Sequence, residues 1–189
     1  QGPGNFLLSG NNHFEADSSS FKSNGLIISG GNNTITGSNT FSGTAAATFN
    51  IRPDTTVRLS GTTPPLDPKF IANLLGATSR LILGDETSAT HQTFHSLTGS
   101  VTSIPVTGSK ILGGSPDIST LTLSPGSGSG SALFAGDIGG PGIHENNLAI
   151  VKTGAGLQIL TGATTYTGTT VIREGSLAFN PTGHSIELD

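Results

Sequence analysis

Apolar residues in this chain arrive in bursts of three to five, and a turn former stops each one: Phe6–Leu8, Leu26–Ile28, Ala47–Ile51, Val57–Leu59, Arg80–Leu83, Leu121–Leu123, Leu148–Val151 and Leu177–Phe179. The bursts are rich in branched side chains and are bounded by Gly, Asn, Ser and Thr. This pattern predicts many short β-strands. A chain this rich in Gly and small polar residues also lies close in composition to disordered segments. The regular return of the bursts argues against disorder. No burst is large enough to form a core alone, so the bursts must stack on one another.

Composition removes several function classes. There is no Cys, so no disulfide framework, cysteine zinc site or thiol nucleophile is available. No stretch approaches the 18 apolar residues of a membrane-spanning helix. A net charge of −4 with eight scattered Lys and Arg offers no basic face to nucleic acid. The charged fraction of 11% is too low for a helical bundle or coiled coil. The chain starts at Gln1 and has no Met, so it is expected to be a processed or excised piece whose export signal has already gone. The lack of Cys is compatible with an oxidising exterior.

One segment has a helical signature. Asp67 is an N-cap residue, Pro68 suits the first helical position, and Gly76 follows the end. Phe70, Ile71, Leu74 and Leu75 fall on one face at helical spacing. The spacing predicts a two-turn helix around Pro68–Leu75, an insertion near 67–76 that braces the adjacent core. Phe70 and Leu74 would be its docking residues if it met a partner. Residues 124–131, Gly- and Ser-rich, read as a flexible loop or linker. They divide a less regular β-solenoid over 1–123 from more regular coils over 132–189.

Self-comparison gives a repeat. Leu8-Ser9-Gly10-Asn11-Asn12-His13-Phe14, Ile35-Thr36-Gly37-Ser38-Asn39-Thr40-Phe41 and Leu160-Thr161-Gly162-Ala163-Thr164-Thr165-Tyr166 align without gaps. Each reads aliphatic, Ser or Thr, Gly, three residues, aromatic. The aliphatic residue ends a strand facing inward, and Gly allows the positive φ of a sharp corner. A polar residue then bonds the corner backbone, and the aromatic caps the next buried layer. Gly10, Gly37, Gly162 and Gly168 are the candidate corner residues, and Phe14, Phe41 and Tyr166 the candidate structural aromatics. Stacked coils of this kind form a β-solenoid. At about 20 to 25 residues per coil the chain would hold about eight or nine coils.

Four further patterns carry a resemblance: Phe134-x-Gly136-x-Ile138-x-Gly140, Leu148-x3-Lys152-x-Gly154-x-Gly156, Leu160-Thr161-Gly162-x-x-Thr165-Tyr166-Thr167-Gly168-x-Thr170, and Gly175-x-Leu177. Over about Phe134–Phe179 the chain resembles the autotransporter passenger-associated repeat. Weaker echoes occur at Gly2–Phe14 and Gly31–Thr44, and the middle, Thr62–Pro116, matches poorly. The resemblance implies a right-handed parallel β-helix that is secreted or held at a bacterial cell surface. One departure stands out, at Leu157-Gln158-Ile159-Leu160. Strand alternation puts Gln158 and Leu160 on one face and Leu157 and Ile159 on the other. With Leu160 inward, Leu157 and Ile159 point outward, to be covered by the chain itself or by another protomer.

Candidate chemistry is sparse. His91 and His95 stand four apart with Asp85 and Glu86 near; the segment is poor in helix formers, so polar surface is the better reading than a metal pair. Gly139-Gly140-Pro141-Gly142-Ile143-His144 is similar to a calcium coil, lacks its closing Asp, and reads as a Gly-rich turn. The 12 acids are dispersed and form no general acid–base pair in sequence. No catalytic residue, metal site or cofactor is assigned. The expected fold is all-β, a right-handed parallel β-solenoid with one short helical insertion. The expected function is a non-enzymatic, extracellular structural protein. It would self-associate head to tail into a fibre, or continue a longer solenoid, because an open solenoid end exposes unpaired backbone. Nucleic acid and membrane insertion are not expected. The first alternative is an adhesin for host or surface glycans; the second is a carbohydrate-active β-helix enzyme.

Overall fold

A computed structural model of the chain describes residues 6–8, 12–14, 26–37, 39–41, 47–66, 68–101, 104–105, 107–128 and 130–179. The strands in chain order begin with β1 (Phe6–Leu8), β2 (Asn12–Phe14), β3 (Leu26–Ile28), β4 (Gly31–Ile35) and β5 (Asn39–Phe41). Next come β6 (Ala47–Ile51), β7 (Thr55–Leu59), β8 (Phe70–Leu74), β9 (Arg80–Leu83) and β10 (His91–Phe94). β11 (Ser96–Thr98), β12 (Ser100–Val101), β13 (Ile104–Pro105), β14 (Lys110–Gly113) and β15 (Ser119–Leu123) follow. The last are β16 (Ser131–Phe134), β17 (Asp137–Ile138), β18 (Leu148–Lys152), β19 (Leu157–Leu160), β20 (Thr170–Ile172) and β21 (Ser176–Phe179).

Apart from the antiparallel β12–β13 pair, every pairing between these strands is parallel, each strand lying on the equivalent strand of the coil before it. The chain is a parallel β-solenoid. A full coil has three faces. The first is built from β3, β6, β8 and β11, then β16, β19 and β21; the second from β1, β4, β7, β9, β14 and β17; the third from β10, β15, β18 and β20. Val57 pairs with Leu81, Leu81 with Ile111 and Ile111 with Ile138, so the spacing along one face varies from coil to coil. Parallel strands need a long return path, and here the other two faces provide it.

The short bursts become strands because every second residue can be buried. β6, β7 and β8 each alternate buried and half-buried side chains. The inward residues stack into ladders, among them Ile28–Ile51–Leu74 and Ile35–Leu59–Leu83. Phe49 stacks on Phe94 at 6.2 Å between ring centroids and meets Phe70 edge-on at 6.3 Å, tying the first and third faces together. Outside, amides line up too: Asn73 Nδ2 donates to Asn50 Oδ1 at 3.1 Å and Thr98 Oγ1 donates to Asn73 Oδ1 at 3.0 Å.

The expected helix around Pro68–Leu75 is a strand instead. Phe70, Ala72 and Leu74 of β8 point inward and are at most 1% exposed, with Ile71 and Asn73 on the outer surface. Residues four apart share a face in a strand as well as in a helix, so Phe70 and Leu74 fit both readings. What decides is the neighbourhood. β6 on one side and β11 on the other offer a complete parallel ladder, worth more than the weak propensity of so short a helix. Phe70 and Leu74 are therefore core residues and not a docking surface. The Gly- and Ser-rich stretch after β15 runs along the corner of the next coil: Ser124 N donates to Phe94 O at 3.0 Å and Pro125 O accepts from Gly156 N at 2.8 Å.

Two buried glutamines repair interruptions in this ladder. The first face changes sheet between β11 and β16, where β12 and β13 intervene in the chain. Gln158, fully buried in β19, accepts from Leu97 N at 3.0 Å and donates to Leu97 O and Ala132 O, both at 3.1 Å. Its amide thus pairs with Leu97 as a neighbouring peptide would. Ala132, opposite Gln158 in the register, puts only a methyl in the way. Gln92, at the start of the third face, does the same for Leu66: it accepts from Leu66 N and donates to Leu66 O, both at 3.0 Å. Buried backbone groups require such partners.

Candidate functional site

The second face leads outward into an open groove of about 290 Å³, where the side chains of Lys110, Asp137, Asn146 and Thr165 alternate with the apolar surface of Pro141, Ala163 and two glycines. Its floor comes from successive coils. Lys110 opens β14 and pairs in register with Asp137 at the start of β17. Alternation turns both side chains outward, since their neighbours Ile111 and Ile138 fill the core. Lys110 Nζ lies 3.3 Å from Asp137 Oδ2, and both side chains are about one-third exposed (29% and 30%). Asp137 Oδ1 accepts from Ala163 N at 3.1 Å. One coil further on, Thr164 bridges to Ile138, which brings Ala163 and Thr165 to the rim.

The loop from Gly139 to Asn147 forms the other wall, with Pro141 and Asn146 lining it. This is the Gly-rich segment compared above with a calcium coil, and it is a braced turn. Asn146 Oδ1 accepts from Gly140 N at 2.9 Å and from Thr165 Oγ1 at 2.7 Å. Glu145 Oε2 accepts from Gly142 N at 2.9 Å. Asn147 Nδ2 donates to Ser115 O and Pro116 O. Gly139 has φ of +95°, in the left-handed region that suits glycine. Ile143 stands at the tip, 86% exposed. No sequence pattern marks Lys110, Asp137 and Asn146, and Thr165 figures in the sequence only as part of the repeat; an offset close to one coil length is the single hint that Lys110 and Asp137 meet.

The corner residues separate into two kinds. Gly37 has φ of +77°, as a sharp corner requires. Gly162 and Gly168 do not have left-handed φ, which corrects the expected reason for Gly at Gly162. Each is required by close approach: a Cβ on Gly162 would fall on the Gly136 carbonyl oxygen, and one on Gly168 would lie 2.5 Å from Leu148 O. Gly10 lies outside the described residues. The first two repeat copies sit in register, Leu8 against Ile35 and Phe14 against Phe41. The third copy falls on a different corner, because Leu160 ends a first-face strand whereas Ile35 ends a second-face strand. Leu157 and Ile159 are half-buried on the outer surface, next in register to Ser131 and Leu133. His91 is exposed at the start of β10, and His95 lies just beyond its end. Among the described residues no cluster of three His, Cys, Asp or Glu is placed to hold a metal. Nor is any helix there long and apolar enough to cross a membrane.

Tyr166 packs half-buried against the core, and its hydroxyl lies 2.5 Å from Thr170 Oγ1. Burial raises its pKa above the ordinary 10.0, and the Thr170 hydrogen bond opposes this. The chain has one Tyr and no Trp, so phenolate absorbance reports this residue alone. Its midpoint is expected above 10.0 in the folded protein and near 10.0 in denaturant; equal midpoints would count against the packing. The folded state then holds the proton longer than the unfolded state, so this group's contribution to stability falls as pH rises past 10.0.

Lys152 is buried at an inward position between Leu123 and Ile172. Its ammonium donates to the carbonyls of Thr153, Gly154 and Glu174 at the corner. Burial lowers its pKa from 10.5, and the Glu174 carboxylate partly restores it. The folded chain therefore releases this proton before the unfolded chain does. Its contribution to stability rises as pH climbs through the lowered value towards 10.5. Denaturation of the wild type and Lys152→Met from pH 7 to 10.5 is expected to show the difference moving in favour of the wild type; a constant difference would refute this.

The passenger-associated-transport-repeat model matches residues 150–179. The matched stretch runs from within β18 to the end of β21 and contains Lys152, Gly154, Gly162, Tyr166 and Gly168. It lies inside the region where the sequence resembles the autotransporter passenger repeat. No curated protein and no solved structure matches the chain.

Proposed function

We propose that the chain is a non-enzymatic, surface-exposed or secreted scaffold, a stretch of passenger solenoid that acts through its shape. The observation that supports it most is the coil stacking itself, carried by apolar ladders from Ile28 to Leu160 and running into a segment of passenger-repeat type. The residues invested in this stretch hold corners and ladders.

Head-to-tail association, or continuation into further coils, belongs to the same reading. β20 pairs with β18 and β21 with β19, and among the described residues no strand lies on their other edges. Val171 and Ile172 are 38% and 46% exposed there, and Phe179 is only partly buried. Each coil of this fold receives the next through parallel pairing of the same kind as β18–β20 and β19–β21, and a further coil or a second copy would add by that pairing. Light scattering with negative-stain electron microscopy on the purified chain tests this. Concentration-dependent rods of uniform width are expected. A monomer at every concentration would overturn the self-association, and hydrolysis of a polysaccharide by the pure protein would overturn the non-enzymatic reading.

A further inference from the structure

We propose that the groove between Lys110, Asp137 and the Gly139–Asn147 loop binds one neutral hexopyranose residue. Its polar groups have capacity to spare. Lys110 Nζ has three protons and directs one at Asp137. Asp137 Oδ2 keeps lone pairs beyond that contact. Asn146 uses its side-chain oxygen for Gly140 and Thr165, and among the described residues no acceptor is assigned to its Nδ2. A cation beside an anion, with an amide and a hydroxyl opposite, suits vicinal hydroxyls: one donates to the carboxylate while its neighbour accepts from the ammonium. The Lys110–Asp137 pair carries no net charge, so it offers a free anion or cation no net attraction, while both of its members can still hydrogen-bond a neutral ligand.

Size and rigidity agree. About 290 Å³ is the lower end of small-molecule sites and suits one ring, not a chain. Pro141 and Ala163 offer apolar surface for the C–H face of a sugar. The walls are formed in advance, because Gly139 holds a left-handed φ and Asn146 is pinned from two sides. Little ordering cost remains for binding. The groove is open to water, so affinity in the millimolar range is expected.

The probes are the methyl glycosides of glucose, galactose and mannose, titrated into the isotope-labelled full chain and followed by amide chemical shifts. At least one is expected to give saturable shifts confined to Gly139, Gly140, Asn146, Ala163 and Thr165. Lys110→Gln and Asp137→Asn, each with an otherwise unchanged spectrum, are expected to weaken it about tenfold, the value of one charged hydrogen bond. Sodium phosphate is the control. Absence of saturable shifts with all three glycosides, undiminished binding by both variants, or the same shifts from phosphate would each overturn the proposal.

Discussion

Gln158→Leu is expected to lower the unfolding free energy by about 3–5 kcal/mol, a large effect for a substitution that nearly conserves volume. Gln158 is fully buried, and its amide is the hydrogen-bonding partner of both the N–H and the C=O of Leu97. Leucine fills most of the space and satisfies neither group. Each buried backbone group left unpaired costs about 1–3 kcal/mol, and Ala132 O loses a donor as well. Gln158→Glu separates hydrogen bonding from packing. At neutral pH its carboxylate faces two carbonyls, and protonation in acid restores a donor, so part of the lost stability should return on acidification. Chemical denaturation of the three proteins checks this. A leucine variant within about 0.5 kcal/mol of wild type, the range of an ordinary surface change, would show that the amide is not part of the ladder.

The same residue shows how far the sequence can be read. Alternation alone places Gln158 inside beside Leu160, and the structure has it there. Its partner was hidden, because Leu97 is 61 residues away across an inserted hairpin. The solenoid was legible for a general reason: bursts too small to form a core have to stack, whatever the order of the faces. The segment Phe70–Leu74 was misread because its spacing satisfies both periods, and the ladder that selects the strand is made by residues more than 20 positions away on either side. The repeat shows the same ambiguity at its corners. An aliphatic residue followed by glycine suits any corner, so the third copy aligned perfectly well and still belongs to another face. The groove was out of reach for a related reason. Lys110, Asp137 and Thr165 lie on successive coils, but single polar residues spaced by one coil form no pattern that separates a groove from ordinary outer surface.

The corner at Gly162 leads to the second large effect. Gly162→Ala is expected to cost about 2–4 kcal/mol, and Gly162→Val more, through overlap and not through backbone angle. A Cβ there falls on the Gly136 carbonyl oxygen and within 2.8 Å of Ala135 O, both backbone atoms of the coil before, which cannot turn aside as a side chain could. Gly136 has no room to retreat, since its own Cβ position lies 2.5 Å from the Phe134 ring and 2.6 Å from Ser109 O. Gly37 offers the contrast. Its left-handed φ disfavours alanine by about 1–2 kcal/mol, and asparagine tolerates that region. Gly37→Asn should therefore recover part of the loss seen in Gly37→Ala, whereas Gly162→Asn should be at least as damaging as Gly162→Ala. Gly128 is the control, because nothing lies within 4 Å of its Cβ position and its φ is not left-handed. Denaturant midpoints for this set decide the matter. If Gly162→Ala melts with Gly128→Ala, the coils are not packed backbone to backbone at that corner. If Gly162→Asn is the better tolerated of the two Gly162 variants, the glycine is there for its φ after all.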